Sequence, residues 1–213
     1  MTWSEATVLA AALLLLLLAA VWVFANRLDR LHRKVASSRA TLENQLVRRA
    51  SAAAELASSG LLDPVSSVLV GEAAWGSLAA GGRGRAELVA ALPDLDRLLA
   101  GAGPEDRETD AVDRDLAESE LSRTVREALA DEGEVAALRA DPAGRELVGI
   151  LAAAWYRVQL ARRFHNEAVA QTQRVRRKTL VRALRLHGHA PLPRTVEIDD
   201  EWPEPLQQVA SAP

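Results

Sequence analysis

The chain has 213 residues, and its 26 lysine and arginine residues against 29 aspartate and glutamate residues give a formal net charge of −3 at pH 7. It contains no cysteine, which excludes disulfide bridges and thiolate metal sites. The charges are segregated: residues 27–49 carry a net charge of +5, residues 85–146 carry −9, and residues 157–185 carry +8. We therefore expect the basic segments to meet the acidic segment within the fold, or to meet lipid phosphates.

An uncharged apolar run occupies residues 6–25, after a short N-terminus (1–5) that holds Glu5 and no basic residue. At 1.5 Å per residue, one helix of this length crosses the roughly 30 Å hydrocarbon core of a membrane. The residues that follow are basic, and basic residues beside a span favour the cytoplasmic side. The run is predicted to be a single transmembrane helix in the cell membrane, with the N-terminus outside and the remaining chain in the cytoplasm.

A cleaved signal peptide is the alternative interpretation of the same run. Its end, Val23-Phe24-Ala25, resembles a small-residue cleavage site. A secretory signal, however, starts with basic residues and has a shorter apolar region of about 7–15 residues. The sequence therefore favours a retained anchor.

Helical spacing of apolar residues dominates the chain after the span. Steps of three, four or seven from Leu28 to Leu56 predict one long first helix that continues the span and ends near Gly60. Asp63 and Pro64 are suited to the N-cap and the first position of a second helix, which ends near residue 78. The apolar residues of this second helix are Val65, Val68, Leu69, Ala73 and Trp75.

The second half of the chain is predicted to return through further helices. Residues 83–112, rich in Gly, Pro and charges, are interpreted as an insertion or a mobile loop. Helices are predicted over 112–130 and 143–186, with the Asp141-Pro142 turn capping the start of the second, and the proline-rich tail 188–213 is predicted to be disordered. Because helices with one apolar stripe must bury it on each other, residues 26–187 are predicted to form an antiparallel all-α bundle.

Short motifs lie on the first and last of these helices. The first helix carries Asn26-Arg-Leu28 and Gln45-Leu46-Val-Arg48-Arg49, and the last carries Ala161-Arg162-Arg163-Phe164-His165-Asn166-Glu-Ala-Val169. These motifs follow a membrane span in the same order as the motifs of the LemA family, which they resemble. The resemblance covers about residues 26–80 and 113–200, and the chain is similar to a divergent, actinobacterial-type member. The resemblance implies an outside N-terminus and an antiparallel cytoplasmic helical bundle, and it implies no particular reaction.

The chain departs from the family pattern at several places. The family tyrosine of the last motif is His165 here, and a later Tyr-Asn is Thr172-Gln173. The motif residues are expected to be structural; they are Asn26, Gln45, Leu46, Arg48, Arg49, Ala161, Arg162, Asn166 and Val169. The arginines among them, with Arg163, form either a cationic site or ion pairs with Glu43, Glu167 or the acidic middle helices, and pairing is the preferred interpretation.

A set of basic residues is the candidate contact with anionic lipid or with a partner. Its members are Arg27, Arg30, Arg33, Lys34, Arg174, Arg177, Lys178, Arg182 and Arg185. If the last helix returns antiparallel to the first, the two groups lie together near the bilayer, where each residue contributes about 1 kcal/mol of attraction to anionic lipid. The alternative is a solvated helix face that only sets the topology.

No catalytic or cofactor signature stands out in the sequence. His187-Gly-His189 lacks further ligands for a metal, and Gly81-Gly-Arg-Gly-Arg lacks the Gly-Lys-Ser/Thr ending of a phosphate-binding loop. The basic block over 174–185 has no aromatic residues to stack on bases, so nucleic acid is not expected. We expect no enzyme, no metal and no cofactor.

The leading hypothesis is a membrane-anchored scaffold or interaction module whose partner is unknown, with self-association as one form. The alternative is a module that binds an anionic lipid surface.

Overall fold

The computed structural model describes residues 3–81, 104–186, 188, 190–204 and 206. All regular secondary structure in these ranges is helical, which confirms the prediction of an all-α chain with one long apolar N-terminal helix for the part that is described. The helices are α1 (Trp3–Ser58), α2 (Pro64–Ala80), α3 (Pro104–Ala128), α4 (Glu132–Ala140), α5 (Pro142–Arg176) and α6 (Thr179–Ala183). The predicted insertion over 83–112 lies outside the described residues up to 103, and from 104 onwards it belongs to α3.

Helix α1 is, among the described residues, the one helix long and apolar enough to cross a membrane, judged by length and composition. Its first part is apolar and exposed, as at Leu13 and Leu16, and its later part contributes buried residues such as Leu42 and Leu56. No break separates the two parts, as the continuous spacing of apolar residues predicts.

Side-chain caps determine where several helices begin. The Asp63 carboxylate accepts hydrogen bonds from the backbone N–H groups of Val65 (2.9 Å) and Ser66 (3.1 Å), and Pro64 occupies the first turn of α2. These bonds satisfy donors that have no partner inside the helix. A hydrogen bond from the Ser66 side chain, together with these backbone bonds, lowers the pKa of Asp63. The Asp141 carboxylate caps α5 in the same way, so both predicted Asp-Pro helix starts are confirmed.

The last predicted helix, over 143–186, is broken in the structure. Helix α5 ends at Arg176, and the short α6 follows after a turn. On an unbroken helix, Val181 would lie about 240° around the axis from Val175, facing away from the surface that Val175 covers. The break allows both valines to be buried in one cluster with Leu28 and Leu31 of α1.

The chain divides into two compact units. Unit 1 contains residues 1–40 and 164–195, and unit 2 contains residues 41–163 and 196–213. The core of unit 1 is the cluster of Leu28, Leu31, Val175 and Val181, with Phe24 and Leu186 packed against it. In unit 2, α1, α2, α3, α4 and α5 all contribute to the main core; its largest members are Leu56, Leu121, Leu129, Leu138, Leu151, Trp155 and Leu206. A second cluster in unit 2 is formed by Leu42, Leu46, Val158, Ala161, Val196 and Ile198.

The apolar residues named for the second helix lie mostly on its exposed face. Val65, Val68, Leu69 and Trp75 are between 49 % and 69 % exposed, whereas the buried residues of α2 are Val70, Ala74 and Ser77. The helix is apolar around nearly its whole circumference, so the spacing alone does not select the buried side. We call the exposed face, made by Val65, Val68, Leu69 and Trp75, the outer face of α2.

The prediction that the tail over 188–213 is disordered is wrong for the residues from 196 to 206 that the structure describes. Val196, Ile198 and Leu206 are 1 %, 6 % and 0 % exposed and belong to the cores of unit 2. The tail has few apolar residues, but the described ones are spaced so that they reach preformed helix surfaces. We call the described residues from 196 to 206 the C-terminal strap.

Candidate functional site

The nine basic residues singled out in the sequence are all exposed and belong to unit 1. They flank the buried cluster of Leu28, Leu31, Val175 and Val181, so the structure brings the two basic segments together as predicted. The Lys178 ammonium also lies 5.4 Å from the centre of the Phe24 ring, a cation–π contact between the segments. We call these nine residues the basic cluster.

Two neighbouring residues differ from the basic cluster in their role. Asp29 is bound to Arg33 by an exposed salt bridge one helical turn away, which neutralises one of the nine charges. Arg176 is half-buried and donates hydrogen bonds to the carbonyl oxygens of Pro191 (2.7 Å) and Ala190 (3.0 Å). Burial lowers the pKa of Arg176, and its hydrogen bonds hold the returning chain rather than a ligand.

A network of buried charges lies inside unit 2, around Arg49. Its guanidinium donates from Nη2 to the Glu118 carboxylate at 2.8 Å and from Nη1 to Ser122 Oγ at 2.9 Å. The Trp155 ring centre lies 4.8 Å from the Arg49 guanidinium carbon. Ser77 Oγ donates to the other Glu118 oxygen at 2.8 Å, so Glu118 links α1, α2 and α3.

A second arginine, Arg114, reaches the same carboxylate. Its Nη2 atom lies 3.0 Å from Glu118 Oε1 and 3.1 Å from Glu43 Oε2, and the side chain is almost wholly buried. A Cβ atom placed on Gly81 would lie 2.1 Å from Arg114 Nη1, so only glycine leaves room for this guanidinium at the end of α2. The network therefore holds two arginines between one buried and one half-buried carboxylate.

Burial and ion pairing act in opposite directions on Arg49. Loss of water lowers the pKa of Arg49, and the adjacent Glu118 carboxylate opposes this shift. An arginine begins from so high a pKa that it stays charged under these conditions. The side chains of Arg49, Arg114 and Glu118 are buried in this network, and buried charge networks favour one pairing of helices over others in some proteins.

Among the described residues, two of the four motif arginines form ion pairs, and one of these pairs is of the expected kind. Arg49 pairs with an acid of the middle helices, as preferred above, whereas Glu43 pairs with Arg114. Arg162 binds Asp200 of the tail, which the sequence did not indicate. Arg48 and Arg163 are exposed.

The other motif residues are distributed between the two units. Leu46 and Ala161 share a buried cluster in unit 2. In unit 1, Val169 is buried, Asn166 is half-buried and Asn26 is exposed; in unit 2, Gln45 is half-buried. The buried His165 places Nδ1 3.1 Å from Ser38 Oγ, which fits a packed residue of unit 1.

The C-terminal strap is bound by polar contacts that the sequence analysis missed. Arg162 binds the Asp200 carboxylate with two hydrogen bonds of 2.8 Å each, from Nε and Nη2. The Asp200 carbonyl oxygen accepts from Trp155 Nε1 at 3.1 Å and from Gln159 Nε2 at 2.7 Å. The available sequence signal was the alternation Val-Glu-Ile-Asp-Asp, which is typical of an extended segment with one buried side.

Two further features concern ligand and metal binding: a cavity, and the placement of side chains that bind metals. A cavity of about 490 Å³ lies between α3, α4 and the strap, and its lining includes Arg126, Val135 and Trp202. Within the part of the chain that the structure describes, no three His, Asp or Glu side chains are placed to hold a metal ion. His187 and His189 lie outside the described residues.

The chain matches no family model, no curated protein and no solved structure. The resemblance to the LemA family thus rests on the two motifs and their order along the chain.

Proposed function

We propose that the chain is a single-pass membrane protein whose cytoplasmic helices form an antiparallel bundle that acts as a scaffold or interaction module. In this proposal the N-terminus is outside, the protein works by contact rather than by catalysis, and it is a divergent LemA-like protein. The main support for this proposal is helix α1. Its first part is apolar and exposed, and its second part supplies core residues. A helix of that kind joins a membrane segment to a folded one without a linker.

The packing within unit 2 supports the antiparallel arrangement. Leu42 and Leu46 of α1 share a cluster with Val158 and Ala161 of α5. Further along α1, Leu56 shares a cluster with Leu151, which comes earlier in α5. Later residues of α1 thus contact earlier residues of α5, which is the pattern of antiparallel neighbours.

The outer face of α2 supports the role as an interaction module. Val68 and Trp75 are 67 % and 69 % exposed, and Val65 and Leu69 lie on the same side of the helix. Adjoining exposed apolar side chains of this size are typical of surfaces that bind another molecule. The face carries one charged residue, Glu72, at its middle.

Topology reporters and a site-specific photocrosslinker test this proposal. A reporter fused to the N-terminus is expected to be active outside the cell, and one fused to the C-terminus is expected to be active inside. A photocrosslinking residue in place of Val68 is expected to give one adduct of defined mass in intact cells. The same residue in place of Leu116, which is also exposed but lies on α3, is the matched control and is expected to give none.

The opposite topology would overturn the proposal. Equal labelling from positions 68 and 116 would remove the assignment of the outer face of α2 as the binding surface.

Binding of anionic lipid is a second candidate function, favoured by the basic cluster. The nine cationic side chains are exposed around one apolar core, with Asp29 as the acid that pairs within the group. At about 1 kcal/mol per residue near an anionic surface, such a group attracts phosphatidylglycerol over phosphatidylcholine. The attraction is screened by salt, because the Debye length is about 8 Å at physiological ionic strength.

Native mass spectrometry of the full chain in mild detergent tests this second function. Phosphatidylglycerol is expected to remain bound in larger numbers than phosphatidylcholine. Replacing Arg174, Arg177 and Lys178 with Gln is expected to remove that difference. Replacing the exposed Arg157 and Arg163 with Gln is the control, because these residues carry charge on α5 outside the basic cluster. Equal retention of the two lipids by the unchanged chain would refute lipid selectivity.

A further inference from the structure

The C-terminal strap lies in a groove on unit 2 made by helices α3 and α5. We call this the strap groove. The side chains that form hydrogen bonds with the strap are Asp115, Ser119 and Arg126 of α3 and Trp155, Gln159 and Arg162 of α5, and Leu42 and Leu46 of α1 pack in one cluster with Val196 and Ile198. The strap has no regular secondary structure over residues 196–203 and is bound through both its backbone and its side chains.

The strap is held as an extended peptide is held by a binding protein. Val196, Ile198 and Asp200 are buried, whereas Glu197 and Glu201 between and after them are exposed. The backbone N–H groups of the intervening residues donate to α3: that of 197 to Asp115 Oδ2 at 3.2 Å, and that of 199 to Ser119 Oγ at 3.0 Å. Main-chain hydrogen bonds with pockets for alternate side chains are the usual mode of extended-peptide recognition.

The groove selects acidic residues at two adjacent positions. Arg162 binds the buried Asp200 carboxylate through a two-point contact, and Arg126 binds Asp199, with Nη1 3.0 Å from Oδ1. The two-point contact matches the planar guanidinium to a carboxylate and disfavours an amide or a neutral side chain. A ligand of this groove is therefore an extended peptide with two apolar residues in alternation, followed by two acids.

We propose that the strap groove is an exchangeable peptide site, and that its ligand in trans is the C-terminal strap of a second copy of this chain. The inference rests on the proposed function, since it supplies a partner for the interaction module. Every contact that a second copy's strap needs is already present in the structure within one copy. An identical segment exchanged between copies keeps those contacts, and the free-energy difference between closed and exchanged forms comes mainly from the connecting residues and from the entropy of association.

The connection to the strap is short and well defined. Gln173 donates to the Pro193 carbonyl oxygen at 2.9 Å, which ties down the chain just before the strap. Arg194 and Thr195, both exposed, then join Pro193 to the strap. Exchange therefore needs a change of backbone direction near these two residues, and it breaks the buried contacts of Val196, Ile198 and Leu206 in one copy and forms them again in the other. Anchoring of both copies in one membrane raises their local concentration, much as a linker between two binding modules does.

Cysteine pairs placed in different copies test the exchange without background, because the chain has no cysteine of its own. One full-length copy carries Asp115→Cys and a first tag, and the other carries Glu197→Cys and a second tag. A short thiol-to-thiol reagent is added to membranes in which both are expressed. We expect a covalent species with both tags, and we expect internal linkage in a copy that carries both cysteines.

Two controls assign the linkage to the strap groove. Asp200→Lys in the Glu197→Cys copy puts a cation against Arg162 and is expected to reduce the two-tag species by more than about tenfold. If that variant is poorly folded, a synthetic peptide of residues 195–206 serves instead, because it competes for the groove of the otherwise unchanged protein. The same peptide with Asp199→Asn and Asp200→Asn is expected to compete at least about tenfold less well.

Internal linkage without any two-tag species would overturn the exchange. Linkage of the Asp115→Cys copy to a different protein would also overturn it, and would show that the occupant in trans is not a second copy. N-terminal reporter activity and membrane fractionation are read from the same samples. A chain that stays in the membrane with its N-terminus outside, yet gives no two-tag species, refutes the exchange and leaves the proposed function standing.

Discussion

The Nη2 atom of Arg49 donates a hydrogen bond of 2.8 Å to the carboxylate of Glu118, and solvent reaches neither side chain. Glu118→Ala leaves this guanidinium buried with its principal counter-charge removed, which in buried pairs costs about 3–5 kcal/mol. We expect Glu118→Ala to lower the free energy of unfolding by that amount, measured by urea denaturation of the full chain in mild detergent.

The control for this prediction lies two residues away on the same helix. Glu120 pairs with Arg123, and both side chains are more than half exposed. Because exposed pairs contribute less than about 1 kcal/mol, Glu120→Ala is expected to have little effect. Equal losses for Glu118→Ala and Glu120→Ala would contradict the structural role given to the buried pair.

The strap contributes a fully buried leucine to the main core of unit 2. Leu206→Ala removes that side chain and is expected to cost about 2–5 kcal/mol, as truncations of buried leucines do. The strap is also expected to open more often, so its amide hydrogens exchange faster over residues 196–203. Leu192→Ala, at a leucine that is 56 % exposed, should change neither quantity. Unchanged exchange in the Leu206→Ala chain would show that the strap is held without its apolar anchor.

Acid is expected to loosen the strap through Asp199. The hydrogen bond from Arg126 holds the pKa of Asp199 below its usual value of about 3.9. A carboxylate with a lowered pKa in the folded state adds stability above its unfolded pKa, and that contribution is lost as the pH falls through the folded pKa. The protection of the strap amides, taken relative to the intrinsic exchange rate at each pH, is therefore expected to fall below about pH 4.

Asp199→Asn is the matched variant for the pH prediction. It removes the titrating group, so its strap should already exchange faster near neutral pH and should respond less to further acidification. If the protection of the strap amides falls equally with acid in both chains, the pH dependence comes from other groups. Asp63, whose pKa is also lowered, is one of them.

Replacing either of two glycines in α5 with alanine is expected to change the stability of the protein, in opposite directions for the two positions. A Cβ atom on Gly144 would lie 2.1 Å from the Leu138 carbonyl oxygen, so Gly144→Ala must push α4 away from α5 and is expected to destabilise by about 1–3 kcal/mol. Gly149 has nothing within 4 Å of such an atom, and Gly149→Ala is expected to stabilise by about 0.5–1 kcal/mol. Thermal unfolding followed by circular dichroism measures both; a stabilising Gly144→Ala would refute the close approach of the two helices.

Local rules allowed α1 and the starts of α2 and α5 to be predicted from the sequence, whereas α4 and the first two turns of α3 were not predicted. The continuous α1 follows from apolar spacing, and the starts of α2 and α5 follow from Asp63 and Asp141 with the prolines after them. Capping depends on residues within one turn of each other, so a single sequence contains the needed information. The meeting of the two basic segments was also predicted, because it follows from a chain that reverses its direction.

The sequence alone does not show which of several similar residues makes a given contact. The acidic segment offers 17 carboxylates, and periodicity does not choose Glu118 as the partner of Arg49. Because α2 is apolar around nearly its whole circumference, the sequence likewise did not show which side of this helix is buried. The strap was missed for the same reason: Val196 and Ile198 become core residues only because α1 and α5 together provide the surface that receives them.

The order of synthesis adds a consequence for the strap groove. All six groove side chains are translated before the strap, and Arg162, the last of them, precedes Val196 by 34 residues. At 5–20 residues per second, the ribosome needs about two to seven seconds to cover that distance. The helices that form the groove are therefore complete before the strap is made. Because the strap can pack only on those helices, its closure over unit 2 comes late in the folding of each copy.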